Sequence, residues 1–478
     1  MPDAVVVGSG PNGLAAAILL AQQGLKVTLL EAKATTGGGM HTEELTLPGF
    51  KHDVGSAIHP FGAGSPFFRT LPLTHHGLTW VQPDAPLAHP LDDGVVMLEH
   101  SLEATCRALG ADAQTYDALL RPLVRDWERL VSDFMGPLLR VPDHPLLLAR
   151  FGVRALPPVT LLNRLFREER TRALFAGNAA HAMLPLESAA TSAIALVFGM
   201  LGHTVGWPFP QGGAASLAAA LTSLFRALGG EVHTGVQVES LRDVPDANIV
   251  MLDLSAKQLL KVAGDALPPR YRGWLERYRL GPGIFKVDYA LDGPAPWRDP
   301  RCATAAIVHL GGSAAEIAAA ERMVARGELP ERPFVLVAQH SPFDATRAPA
   351  GKQTLWAYCH VPNGSDTDMT GPIEAQLERF APGFRERVLA RHTMNATQTE
   401  RYNPNYVGGD INGGAATLWQ LVVRPAPRLL PYRTPRRGVY LCSASTPPSG
   451  GVHGMGGYHA AKTALKDVFG LETSLKRV

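Results

Sequence analysis

Glycines at fixed spacing are the first residues in this chain with a chemistry to argue. Gly8, Gly10 and Gly13 stand in a G-x-G-x-x-G run with Pro11 and Asn12 inside it, and Gly37, Gly38 and Gly39 form a second run. Backbone without side chains can approach a diphosphate closely, and a helix opening at that point adds free N–H groups and partial positive charge. Glu31 lies between the two runs, where its carboxylate can accept hydrogen bonds from the hydroxyls of an adenosine ribose. A third run, Gly450-Gly451-Val452-His453-Gly454, comes near the other end of the chain and carries a histidine with it.

Such residues need a particular scaffold, and the flanking sequence supplies it. Ala4 to Val7 is a short apolar run of strand type. An Ala/Leu-rich segment of helical composition follows Gly13 and stops at Gly24, and Lys26 to Leu30 reads as a second strand ending in Glu31. Strand, glycine turn, helix, strand and terminal acid is the order of a dinucleotide-binding βαβ unit. A plain NAD domain has no need of glycines at 37–39. The extended pyrophosphate and ribityl chain of FAD would pass over them, so FAD is the expected cofactor, and Glu31 favours an unphosphorylated ribose. Ala32 and Met40, next to Glu31 and Gly39, join the expected cofactor contacts.

Composition fits a folded enzyme: 46% of the 478 residues are hydrophobic and 18% charged, ample for a large core. A formal charge of +2 gives no electrostatic case for nucleic acid. Cys106, Cys302, Cys359 and Cys442 lie far apart and form no C-x-x-C, which argues against a redox disulfide or a zinc site, and no metal is expected. The first strand starts at residue 4, leaving no room for a signal peptide ahead of it, and no apolar run reaches the roughly 18 residues of a spanning helix. A cytoplasmic protein is the expectation. The segment 144–166, apolar with interspersed arginines, reads as cap helices, the wall of an apolar tunnel or a peripheral membrane contact.

The chain leaves the nucleotide-binding fold and returns twice. Helical stretches are expected over 116–135, 159–168, 170–184 and 187–200. Ala214 to Leu228 should then form a small-residue helix, with strands at Glu231 to Leu241 and Ala247 to Leu252, and with Val238 placed to meet the adenine through its backbone. Strands at 285–291, 305–310, 333–340 and 354–361, covered by helices at 313–325 and 372–390, make a second sheet. The last return, 438–469, reads as strand, glycine-rich loop and helix, and brings Ser443, Ala444, Gly451, Val452 and His453 to the flavin. The expected division is 1–75, 205–270 and 425–478 for FAD binding, with 76–204 and 271–424 as a substrate or cap domain.

The whole pattern resembles the phytoene desaturase and carotenoid isomerase superfamily of FAD proteins. The carrying residues are Gly8-x-Gly10-x-x-Gly13, Glu31, Gly37-Gly38, Pro48-Gly49-Phe50, Asp53-x-Gly55, and the stretches at 281–297, 403–414 and 440–461. They look most like the branch of phytoene dehydrogenase-related oxidoreductases that includes the pyridine nucleotide-disulphide oxidoreductase domain-containing protein 2 type. The resemblance implies an α/β fold, with a Rossmann-type, glutathione-reductase-like FAD-binding domain and an interleaved α+β cap. It also implies a flavoenzyme that desaturates or isomerises an apolar, isoprenoid or lipid-like substrate. The alternatives are an amine or alcohol oxidase and a non-catalytic binder of hydrophobic ligands. Many relatives carry Arg or Lys where this chain has Gly39. With no second nucleotide-binding unit in the sequence, oxygen or a quinone is the expected electron acceptor for a net oxidation.

Flavin chemistry asks little of side chains. His453 in the glycine loop, His59 after the Asp53-x-Gly55 element and Tyr458 one helical turn beyond the loop are the candidate catalytic residues. Protonation of His453 is expected to tune the flavin's electron affinity. Lys286 and Asp288 share one strand face and are expected to form a salt bridge in solvent. His340 and His360, near strand ends, are expected to be structural.

Overall fold

The structure, a computed structural model, describes residues 1–475. Its cofactor half is a five-stranded parallel sheet in the order Val439–Leu441, Ile249–Leu252, Ala4–Val7, Val27–Glu31, Glu231–Thr234. The central strand Ala4–Val7 is buried along its whole length, as an unbroken apolar run in a parallel sheet must be. Its side chains alternate: Ala4 and Val6 join the core under the helices Pro11–Gln22, Ala214–Ala227 and Met455–Phe469, while Val5 and Val7 pack with Leu259 on the other face.

The second sheet has seven strands, in the order Val388–Met394, Gly283–Leu291, Gln353–Val361, Val335–Ala338, Ala305–Leu310, Ala85–Leu91, Gly94–Leu98. Its pairs are antiparallel except for Ala305–Leu310 against Ala85–Leu91. Three of these strands depart from expectation. The hairpin 85–98 contains Pro86, Pro90 and His89, a composition that argues against strand, yet Pro90 sits in register opposite Val95. The helix expected over 372–390 ends at Phe380. Pro382 and Gly383 (φ +86°) break it, and Val388–Met394 becomes the edge strand.

Other boundaries shift in smaller ways. The helix expected over 116–135 is two, Ala113–Arg125 and Trp127–Phe134. The last helix before the return begins at Thr191, later than 187, and runs to Thr204. The expected strand Glu231 to Leu241 stops at Thr234, where Gly235 takes φ +73°.

Candidate functional site

A cavity of about 780 Å³ runs from the N-terminal glycine loop to the seven-stranded sheet. At the loop end, Gly8, Gly10, Pro11 and Asn12 line it with Gly38 and Gly39. The two loops are pressed together: a Cβ at Gly38, whose φ is +61°, would lie 2.7 Å from the Gly10 Cα. A Cβ at Gly13 would collide with the Gly8 carbonyl oxygen, so Gly13 works by close packing and does not itself line the cavity. Glu31 holds the arrangement, accepting from the Ser9 N–H at 2.9 Å, from the Ser9 hydroxyl and from the Lys33 N–H at 2.9 Å. Ser9 in turn receives the Gly37 N–H on its carbonyl and hydroxyl oxygens, both at 3.1 Å. Gly37 and fully buried Met40 therefore stand behind the loop and shape it, while Ala32 and Val238 line the cavity.

Two features here were not anticipated. The position that carries a cation in many relatives has no room for a side chain, because a Cβ at Gly39 would collide with the Tyr406 hydroxyl. Asp253, directly after the strand Ile249–Leu252, places Oδ2 3.0 Å from the Gly13 N–H at the start of the first helix. Burial pushes this carboxyl up to about 7, although the Gly13 N–H opposes the shift. The signal was present in sequence as an acid closing a strand that neighbours the glycine-loop strand, the usual edge for ligand binding in such sheets.

Toward the other end, the C-terminal loop contributes Ser443, Ala444, Gly451, Val452 and His453 to the lining. His453 is 2% exposed. Its Nδ1 accepts from the Met455 N–H at 3.0 Å and its Nε2 faces the Ser449 carbonyl oxygen at 3.2 Å. Both nitrogens thus brace the glycine turn, and burial pushes the imidazole down to about 4. This corrects the picture of a histidine free to titrate near the flavin. His59 lines the cavity and is also buried. Its Nε2 meets the Ser56 hydroxyl at 3.0 Å, its Nδ1 has no partner, and burial takes its pKa to about 4. Tyr458 does not line the cavity; it is 3% exposed and packs on Phe67, ring centroids 5.1 Å apart.

Asp53 lies beneath the lining. It accepts from Arg347 Nη2 at 2.5 Å, the Thr42 hydroxyl at 2.7 Å and the Ala214 N–H at 2.8 Å, so one carboxylate joins three segments far apart in the chain. His340 donates its Nε2–H to the Ala57 carbonyl oxygen (3.0 Å) as a structural group, and His360 meets Glu321 at 2.8 Å.

The expectation of a solvated Lys286–Asp288 pair is wrong. The two are 1% and 0% exposed, with Nζ 2.7 Å from Oδ2. Burial lowers the Lys286 pKa; it also acts to raise Asp288, but the Lys286 ammonium, His392 and His52 together hold that carboxyl below the usual range. Alternation put them on one face, and that face turns to the cavity: Ile284 and Lys286 line it beside Trp356 and Tyr358. His181 was also missed. It lines the cavity, stacks on Phe198 at 4.3 Å and sets Nε2 3.0 Å from His309 Nε2. The stretch 403–414, seen in sequence only as a resemblance, contributes Asn403, Tyr406, Asn412 and Gly413 to the wall.

The residues present fit FAD, since two glycine loops leave a backbone cradle that side chains would fill and the Glu31 carboxylate lines the cavity beside it. Together with the parallel sheet, this defines an FAD-dependent oxidoreductase. The flavin-containing amine oxidoreductase family profile matches residues 12–266. The pyridine nucleotide-disulfide oxidoreductase domain-containing protein 2 of Rattus norvegicus is 27% identical over 98% of this chain and 94% of its own length. Hydroxyneurosporene desaturase of Cereibacter sphaeroides is 32% identical over 55% of this chain and 59% of its length. A putrescine oxidase structure superposes at TM-score 0.63 with 16% identity, covering 98% of this chain and 99% of that one, a likeness of fold. The chain belongs to the flavin-containing amine oxidoreductase family.

Proposed function

We propose that this enzyme dehydrogenates or isomerises an apolar, isoprenoid- or lipid-like substrate. The observation that carries the reading is the far wall of the cavity, built from Phe134, Leu148, Phe151, Val197, Phe198 and Trp207. FAD, when bound, supplies the acceptor for a hydride. The chain's own residues bind and orient. The apolar wall excludes water and holds a hydrocarbon by burial alone. Lys286 puts a single positive charge on the sheet side, fixed in place by Asp288. His453 and Ser449 hold the glycine loop still, and His59 offers an unpaired Nδ1 close to it.

Charge argues against the amine reading. Among the described residues lining the cavity the carboxylates are Glu31 and Asp253, both at the glycine-loop end. A protonated amine at the apolar end would meet Lys286 and no counter-anion. The test is anaerobic incubation of the purified yellow protein with isoprenoids, acyl lipids, amines and alcohols while flavin bleaching is followed. Bleaching by isoprenoids or lipids is expected. Bleaching by amines or alcohols alone would overturn the proposal.

A further inference from the structure

One surface of the molecule is apolar where a surface facing water is ordinarily polar. Among the described residues, eight of the eighteen exposed large hydrophobic side chains fall between Leu138 and Leu165. Leu146 is 78% exposed and Val153 76%. Both belong to the helix Pro145–Ala155, which has an apolar stripe on its cavity side and a mixed apolar and basic stripe on its exposed side. Leu148, Phe151, Gly152 and Ala155, at i, i+3, i+4 and i+7, line the cavity. Leu146, Ala149, Arg150 and Val153 repeat that spacing on an exposed stripe. The cavity accounts for the inner stripe, and the outer one holds two exposed large apolar side chains beside an arginine with no described residue packed over them.

The continuation matches. The next helical stretch, Val159–Leu165, meets the first at 83° and exposes Leu161 and Leu165. No single described helix is long and apolar enough to cross a membrane, and the bend keeps this pair from forming one straight apolar rod. From 144 to 167 the chain carries Arg150, Arg154, Arg164 and Arg167 and no Asp or Glu, in a protein whose formal charge is only +2. Leu138 and Leu156 are exposed and also line the cavity, so its mouth opens on this same surface.

We propose that the bent helix pair is a docking surface for an anionic lipid bilayer. Leu146, Val153, Leu161 and Leu165 enter the boundary of the acyl chains, and the arginines reach the phosphate headgroups. The inner stripe of the same helix walls the cavity. An apolar molecule dissolved in the bilayer would therefore reach the flavin side without crossing water.

Flotation of the holoenzyme with vesicles tests this, and because binding needs no turnover the result is read independently of the substrate. The probes are phosphatidylcholine vesicles with and without phosphatidylglycerol. The wild type should float with the anionic vesicles and release as salt is raised. Leu146→Asp/Val153→Asp and, separately, Arg150→Ala/Arg164→Ala should each lower the partition about tenfold, with FAD content and melting temperature unchanged. Should the aspartates disturb folding, Leu146→Ser/Val153→Ser replaces them. A wild type that stays soluble with both vesicles, or variants that float as it does, would overturn the proposal. So would a wild type that sediments as a dimer which Leu146→Asp/Val153→Asp splits, without vesicle binding, because a second copy would then cover the surface.

Discussion

Glu31 illustrates how one residue carries two duties. The sequence expects it to receive ribose hydroxyls, and in the fold it receives Ser9 and Lys33. Glu31→Ala should raise the FAD dissociation constant roughly tenfold to a hundredfold, the loss of a charge-assisted acceptor of about 1.5–3 kcal/mol. Glu31→Gln, which keeps one acceptor oxygen, should fall between in an equilibrium titration. Asp253 behaves oppositely, because its carboxyl occupies a place suited to phosphate. Its pKa is raised from 3.8 to about 7, so the unfolded chain ionises first and stability is lost as pH rises from the lower value through the higher. Asp253→Asn should therefore stabilise the FAD-free protein near pH 8 by on the order of 2–4 kcal/mol, and not at all near pH 3. Calorimetry at the two pH values checks it. For His453, with a pKa of about 4, the flavin potential around neutral pH should have the same pH slope in wild type and His453→Ala. The substitution should instead loosen the glycine turn, seen as a lower melting temperature worth about 1–3 kcal/mol. A changed slope in the electrochemical titration would restore the titrating role.

At the scale of elements, the contact between the two glycine loops can be isolated by a paired substitution. Gly38→Ala and Gly24→Ala meet nearly the same backbone penalty, at φ +61° and +80°, on the order of 1 kcal/mol. Only at Gly38 does the new methyl strike another loop; at Gly24 nothing lies within 4 Å. Gly38→Ala should purify folded but largely free of flavin, and Gly24→Ala should stay yellow with a slightly lower melting temperature. The nucleotide-binding elements were legible because their signals are local: the strand Ala4–Val7, the turn after it and the helix Pro11–Gln22 sit within residues 4–22. The hairpin 85–98 was not legible, since its prolines oppose a strand and its parallel partner is Ala305–Leu310. Lys286 was placed on the correct strand but in solvent, whereas both faces of that strand are buried, Phe285 and Val287 on one and Lys286 on the other. Alternation tells which residues share a face, and only the packing of the whole molecule tells whether that face meets water.

Across the whole molecule, burial has left an unusual store of neutral imidazoles. Ten of the 17 histidines, among them His52, His59, His181, His340 and His459, have pKa values driven down from 6.5 by burial, most to about 4. A depressed folded pKa contributes stability that is complete above 6.5 and is lost as pH falls toward the folded value. The histidines together should make stability fall steeply as pH drops from 6.5 to about 4, with several protons taken up on unfolding. Thermal melts across that range, in two buffers of different ionisation enthalpy, measure both. The interleaving of the two sheets has a consequence for how the chain is made. The strand Ala85–Leu91 waits for Ala305–Leu310, and the cofactor sheet is completed only by Val439–Leu441. A nascent polypeptide therefore leaves the ribosome with two open sheet edges through most of its synthesis, each a template for the wrong partner. Its safe delivery depends on whatever shelters those edges until the last strand arrives.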